Sequence, residues 1–137
     1  MNLEIPVSRI MTTNVVSASP LQKLIDVKHL FDQKPFHYNI PVTENGKLVG
    51  MIVLTDFLYA IKNASPAEEK AGYGNLIVKH IMREHAVTKS SATTIREISE
   101  LLSSGETHAI LIVDNGVIEG IVSTADVIRY FLSSGGE

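Results

Sequence analysis

The sequence predicts an α+β fold in which two β-α-β-β-α repeats pack as one pseudo-twofold module. Three observations carry this reading. The first is self-similarity: Val7-Ser8-Arg9-Ile10-Met11 returns as Val78-Lys79-His80-Ile81-Met82, an offset of 71. That offset also places Leu24, Val27, Leu30 and Phe31 on Ile95, Ile98, Leu101 and Leu102, and His37 and Val42 on His108 and Val113. One residue is then lost in a turn, and Asn45-Gly46, Gly50 and Asp56 fall on Asn115-Gly116, Gly120 and Asp126 at an offset of 70. The second is an Asn-Gly pair between apolar runs in each copy, the strongest short hairpin signal, because a type I′ turn needs φ > 0 at both central residues. The third is apolar spacing at helical period ahead of each hairpin.

The elements follow in order. Repeat 1 spans 7–62 and opens with a short extended piece at Val15-Val16. Leu21, Leu24, Val27, Leu30 and Phe31 then lie on one helical face, with Ser19, Pro20 and Gln22 as a capping box and first-turn proline. Asn39 to Val42 and Leu48 to Val53 form the hairpin, and a second helix runs from Asp56 to about Lys62. Residues 63–77, with Ser65-Pro66, Gly72 and Gly74, read as a helix end and linker. Repeat 2, 78–132, has the same order. Ala86-Val87 is extended, Thr94 and Glu97 box the start of a helix through Ile98, Leu101 and Leu102, Ala109–Val113 and Ile118–Val122 pair, and Thr124–Leu132 closes it. Residues 1–6 and 133–137 are terminal extensions. One such unit leaves apolar faces uncovered, so the repeat-to-repeat face should bury Leu30 and Leu101. The apolar surface beyond that predicts a homodimer through the helices, with Phe57, Leu58, Ile61, Val127, Ile128 and Phe131 as contacts.

Composition narrows the function. The chain has 137 residues, 45% hydrophobic and 20% charged, with mean hydropathy +0.15, a globular balance. It contains no cysteine, which excludes a disulfide framework, a thiolate nucleophile and Cys-ligated zinc. Twelve basic against fifteen acidic residues give −3 and argue against nucleic-acid binding. Met1–Ile10 lacks the apolar core of a signal peptide, and no apolar run approaches the roughly 20 residues of a membrane span. The expectation is a cytoplasmic protein with no membrane partner. None of the five histidines stands at i,i+4 with another, and there is no P-loop, G-x-G-x-x-G or G-x-S-x-G. Neither a metal site nor a catalytic constellation is expected, so the chain is not read as an enzyme.

Ser123-x-x-Asp126, at the start of the last helix, is the chemical focus. Spacing alone allows two readings. One is a capping box. The other is a ligand site, in which free helix N–H groups and a Ser hydroxyl suit a phosphate and an acceptor-only carboxylate suits a ribose diol. In repeat 1, Val53 stands where Ser123 would, and Thr55 sits two positions late beside Asp56.

Ile10-Met11-Thr12, Ile40-Pro41-Val42, Asn45-Gly46, Leu48-Val49-Gly50 and Gly120 to Asp126 together resemble a tandem pair of CBS domains, named after cystathionine β-synthase, over residues 7–132. The resemblance implies a pseudo-twofold module that binds an adenosine-type ligand (AMP, ADP, ATP or S-adenosylmethionine) between the repeats, needs no cofactor, and regulates an enzyme or transporter. It implies a preferred cleft in which Ser123 and Asp126 face Met11, Thr12, Val15, Val16, His37, Tyr38 and Asn39. A weaker cleft would join Asp56 and Thr55 to Ala86, Val87, His108 and Ala109. Members that bind nucleotides often place His or Arg before the strand proline. Tyr38-Asn39 and Ala109-Ile110 stand there instead, with Ile112 in place of the second proline, and no arginine is evidently poised for a polyphosphate. The alternative is a ligand-free interaction or dimerisation module.

Overall fold

A computed structural model describes residues 1–32 and 39–133. The chain divides into two compact units, Val16–Ala86 on one side and Met1–Val15 with Val87 onward on the other. The two cuts fall inside the two repeats as read from the sequence, between Val15 and Val16 in the first and between Ala86 and Val87 in the second. The leading segment of each repeat, Val7–Met11 or Val78–Met82, belongs to the unit formed by the rest of the other repeat.

In the unit Val16–Ala86, helix α1 (Leu24–Asp32) precedes strands β1 (Asn39–Glu44) and β2 (Lys47–Val53), helix α2 (Leu54–Lys62) and a short α3 (Pro66–Lys70). β1 and β2 are antiparallel and joined by Asn45-Gly46 at φ 53 and 78, the paired positive values expected of the turn. Ala18 runs parallel to Val42 as a single bridge, and Arg83 pairs with Met51 on the far edge. Leu24, Val27, Phe31, Ile40, Val42, Ile52, Phe57 and Val78 form the core. The Phe31 and Phe57 rings meet at 5.2 Å in a tilted contact.

The second unit repeats this plan. A strand β3 (Thr88–Lys89) is followed by α4 (Ile95–Ser103), β4 (Ala109–Asp114), β5 (Val117–Ser123) and α5 (Thr124–Ser133). The sheet order is β3-β4-β5, with β3 parallel to β4 and β4 antiparallel to β5. Asn115 and Gly116 repeat the turn at φ 54 and 80. Val7 is fully buried among Ile98, Leu102, Ile110, Ile112, Val122 and Val127.

Both Ile-Met segments cross their sheet edge over a glycine, for a steric reason. A Cβ on Gly120 would lie 2.7 Å from the Thr12 carbonyl oxygen and 2.8 Å from Met11 Sδ. On Gly50 it would lie 2.9 Å from both the Arg83 carbonyl and Met82 Sδ. Only hydrogen fits there, and the backbones close into paired bonds: Thr12 N–H to Ile121 O at 2.8 Å and Ile121 N–H to Thr12 O at 2.9 Å, with Arg83 and Met51 matching at 2.8 Å each way.

Several expectations are corrected. The first strand lies at Thr88–Lys89 rather than Ala86-Val87, and its counterpart is the Ala18 bridge rather than Val15-Val16. Helix α1 begins at Leu24, not near Ser19. The Ser19 N–H does reach Gln22 Oε1 at 3.2 Å, but it closes a turn before the helix, which leaves Leu21 75% exposed. Leu30 and Leu101 are half-buried, whereas the neighbouring Phe31, Ile98 and Leu102 are buried. The stretch read as linker holds α3. Ser65 accepts from the Glu68 N–H at 3.1 Å and donates its own N–H to Glu68 Oε1 at 2.8 Å, a full capping box.

The lost residue also lies elsewhere than expected. Both hairpin loops have two residues, and β1 and β4 already correspond at an offset of 70, Asn39 with Ala109 and Val42 with Ile112. The helices correspond at 71. The deletion therefore falls between helix and strand, in 33–38 against 104–108, and His37, matched to His108 from the sequence, lies outside the described residues.

Candidate functional site

α5 begins where β5 ends, and that junction builds the site. Ser123 closes β5 opposite Ala109. Its N–H donates to Asp126 Oδ2 at 2.9 Å and its hydroxyl to the same oxygen at 3.1 Å, while the Asp126 N–H donates to Ser123 Oγ at 3.2 Å. The capping box is thus real. It also holds an ionisable carboxylate nearly buried, at 8% exposure, the one buried charged side chain among the described residues. A buried carboxylate needs partners, and Arg129, one turn on, supplies the third by donating to Asp126 Oδ1.

Thr12 is fixed beside this junction by its bridge to Ile121, two residues before Ser123. A cavity of about 480 Å³ opens over the same helix face, lined by Arg9 and Ile10 from the leading segment and by Asp126, Arg129, Tyr130 and Ser133 from α5. The sequence reading names neither Arg9 nor Arg129 among the site residues, although both line this cavity. The i, i+3, i+4, i+7 spacing of the α5 residues was the available signal; the approach of Arg9, from more than a hundred positions away, had none.

The counterpart in the other unit differs. α2 starts at Leu54 behind Val53, which caps nothing. Asp56 stands in its first turn and is gripped by Arg83, Nε donating to Oδ2 at 2.8 Å and Nη2 to Oδ1 at 3.2 Å. The hydrogen bond to Asp56, and then its charge, hold the Arg83 guanidinium above its usual pKa. Thr55 is exposed beside it.

The remaining expected residues divide between the units. Thr12, Val15, Ser123 and Asp126 share one unit with Val87, His108 and Ala109; Val16, Asn39, Thr55, Asp56 and Ala86 share the other. Val15, Val16, Asn39, Ala86 and Ala109 are half-buried, while Val87 and His108 are exposed. The His108 carbonyl accepts the Thr124 N–H at 3.0 Å, which fastens the strand entry to the start of α5. His37 and Tyr38 lie outside the described residues. Among the described residues no group of three His, Cys, Asp or Glu side chains is placed to hold a metal, and no helix is long and apolar enough to cross a membrane.

Comparison with known proteins now bears on this geometry. The chain is 28% identical over 127 residues to the uncharacterised protein MJ1225 of Methanocaldococcus jannaschii, covering 88% of this chain and 45% of that protein. It is 32% identical to the zinc metalloprotease MJ0392 of the same organism over 88% of this chain but 30% of that one. The chain thus spans less than half the length of these two relatives. It is 29% identical to the CBS domain-containing protein YhcV of Bacillus subtilis, over 85% of this chain and 79% of that protein. Among solved structures, MJ1225, a candidate archaeal homologue of g-AMPK, superposes with a TM-score of 0.80 at 26% identity, covering 96% of this chain and 49% of that one. CBSX2 from Arabidopsis thaliana, a CBS-pair protein, gives 0.79 at 21% identity, covering 97% and 98%. CBSX2 in complex with AMP gives 0.78 at 20%, covering 94% and 97%. The CBS domain model matches residues 7–63 and again 78–133, the two copies read from the repeat, and the chain belongs to the CBS domain family.

Proposed function

We propose that this CBS pair is a regulatory sensor that binds an adenosine-type ligand at the Asp126 site and modulates a partner enzyme or transporter. The observation that carries this reading is the buried Asp126 carboxylate, oriented by Ser123 and bordered by two arginines on one cavity. A carboxylate so fixed accepts from the ribose hydroxyls, and Arg9 and Arg129 offer donors to a phosphate. That donor set favours AMP or ADP over S-adenosylmethionine, whose sulfonium is cationic. The AMP held by the similarly folded CBSX2 supports the same class of ligand. In the cleft that the family resemblance implies, Thr12, Val15, Val16, His37, Tyr38 and Asn39 complete this site, while Asp56, Thr55, Ala86, Val87, His108 and Ala109 belong to the weaker one.

The direct test is a thermal-shift screen with AMP, ADP, ATP, S-adenosylmethionine and NADH. AMP at a hundred times its Kd stabilises by about 2.7 kcal/mol and raises Tm by several degrees; no shift with any adenosine compound rejects the reading. The second reading, a ligand-free dimerisation module, draws on exposed apolar residues on the closing helices. Leu58 and Tyr59 on α2 are 55% and 71% exposed, and Ile128 and Leu132 on α5 are 51% and 77%. A homodimer through these helices is compatible with both readings, and only ligand binding separates them.

A further inference from the structure

We infer that Arg83 occupies the ligand position of the Asp56 carboxylate, so that the chain binds one adenosine-type ligand, at Asp126, and not two. The inference rests on the proposed function and adds to it a specificity-determining residue.

The two units make the comparison internally. Arg83 and Thr12 occupy equivalent places: each follows an Ile-Met pair, crosses a sheet edge over a glycine, and pairs with the residue after that glycine, Met51 or Ile121. Their backbones therefore do the same work, and only the side chains differ. Thr12 is short. Arg83 spans to Asp56 and engages both carboxylate oxygens at 2.8 and 3.2 Å. A ribose diol needs those same two oxygens as acceptors, and a two-point guanidinium fork takes the in-plane directions that the hydroxyls would use.

Asp126 also has an arginine, but of a different kind. Arg129 comes from one turn further along the same helix and donates through one nitrogen to one oxygen. The other oxygen is held by Ser123, which sets the carboxylate's orientation. Asp56 has no such brace, because Val53 offers no hydroxyl. Two changes, Arg83 to Thr and Val53 to Ser, would give the first-repeat site the Thr, Ser and Asp of the second.

Isothermal titration with AMP tests this on the full chain. Wild type should bind about one ligand per chain, and D126A should weaken it at least about tenfold. V53S/R83T should gain a second site that survives in the D126A background. Removing an exposed ion pair gains up to about fivefold and adding one hydroxyl hydrogen bond a similar factor, so the second site should tighten on the order of tenfold or more. Thermal melts of each variant keep folded fractions matched. Two ligands on wild type, or one on wild type with none added on V53S/R83T, overturns the inference and leaves the proposed function standing. Weaker binding in R83T alone also overturns it, since Arg83 would then be a ligand contact. Binding to V53S/R83T but not to wild type supports the masking of Asp56 by Arg83 and rejects the Asp126 site; binding to neither rejects both.

Discussion

Val7→Ala tests the exchange of leading segments, the least expected feature of the fold. Val7 belongs to the first repeat by sequence, yet it is 0% exposed within the core of the second-repeat unit, against Ile98, Leu102, Ile110, Ile112, Val122 and Val127. Truncation to Ala removes two methyl groups, about 1.6 kcal/mol at roughly 0.8 per buried carbon. The cavity term adds about 1 kcal/mol if the site does not collapse, for a total of about 2–3 kcal/mol. Native-state hydrogen exchange locates the loss. Amides of α4, β4 and β5 should lose protection, by a factor on the order of 30–150 at that free energy, while those of α1, β1 and β2 keep theirs. Val78, also 0% exposed but within the first-repeat core, gives the mirror experiment: Val78→Ala should loosen α1, β1 and β2. If Val7→Ala instead loosens residues 24–62 and spares 95–133, each leading segment serves its own repeat and the reasoning fails.

Four further outcomes are expected. Gly120→Ala should cost about 1–3 kcal/mol in a urea melt, because its Cβ meets the Thr12 carbonyl at 2.7 Å and backbone must shift; a neutral result means that the segment is free to lift. Asp126→Ala should weaken AMP binding by about 1.5–3 kcal/mol in calorimetry, while Asp56→Ala changes it by less than about twofold; equal losses would mean that both carboxylates bind ligand. Ser91 donates its N–H and hydroxyl to Asp114 at 3.1 and 2.6 Å, and these bonds, the hydroxyl's first, hold the Asp114 pKa below its ordinary 3.8. A depressed carboxylate pKa stabilises above the unfolded value and is lost as pH falls through the folded one, so the stability gap between wild type and Ser91→Ala should be full at pH 7 and shrink below about pH 3.8; a pH-independent gap contradicts this. Sedimentation should show a dimer at micromolar concentration that Leu58→Asp with Ile128→Asp converts to monomer, and a wild-type monomer rejects that interface.

Much of this was legible because short-range chemistry decides it. Asn-Gly fixed both hairpins, since few other pairs tolerate two positive φ values. Ser123 and Asp126 could be read as a cap, and are one. Gln22 misled because its side chain does reach the Ser19 N–H, yet a capping bond closes an isolated turn as readily as it starts a helix. Ser65-Pro66-x-Glu68 carries the same signature and does start a helix, α3, although glycines follow within a few residues. The identity of Val42 with Val113 drew the deletion into the hairpin, whereas the strand register aligns Val42 with Ile112. A one-residue slip would have turned every side chain of the strand to the other face.

What could not be read is which core each leading segment enters. Local pattern makes Val7 and Val78 equivalent: both begin a short 3-10 turn and both are fully buried. The long-range bonds differ. The Ile5 and Leu3 carbonyls accept from Ile95 and Arg96, the first two N–H groups of α4, at 3.0 and 2.9 Å, and the Leu76 carbonyl accepts from Leu24, the first of α1, at 2.9 Å. Each repeat, with the few residues that lead into it, thus supplies the N-terminal acceptors, the core valine and the edge-strand residue that the other repeat's helix and sheet lack. A half-chain would expose those helix N–H groups, leave a hole where the valine sits and strand the sheet edge at Gly50 or Gly120. This gives duplication a physical reason beyond covering apolar faces. It also bears on the difference between the two carboxylates, because one of the residues that follow the Ile-Met pairs reaches the opposite repeat's helix and the other does not: Arg83 from the second copy pairs with Asp56 of the first, while Asp126 of the second is held by Ser123 and Arg129 of its own repeat.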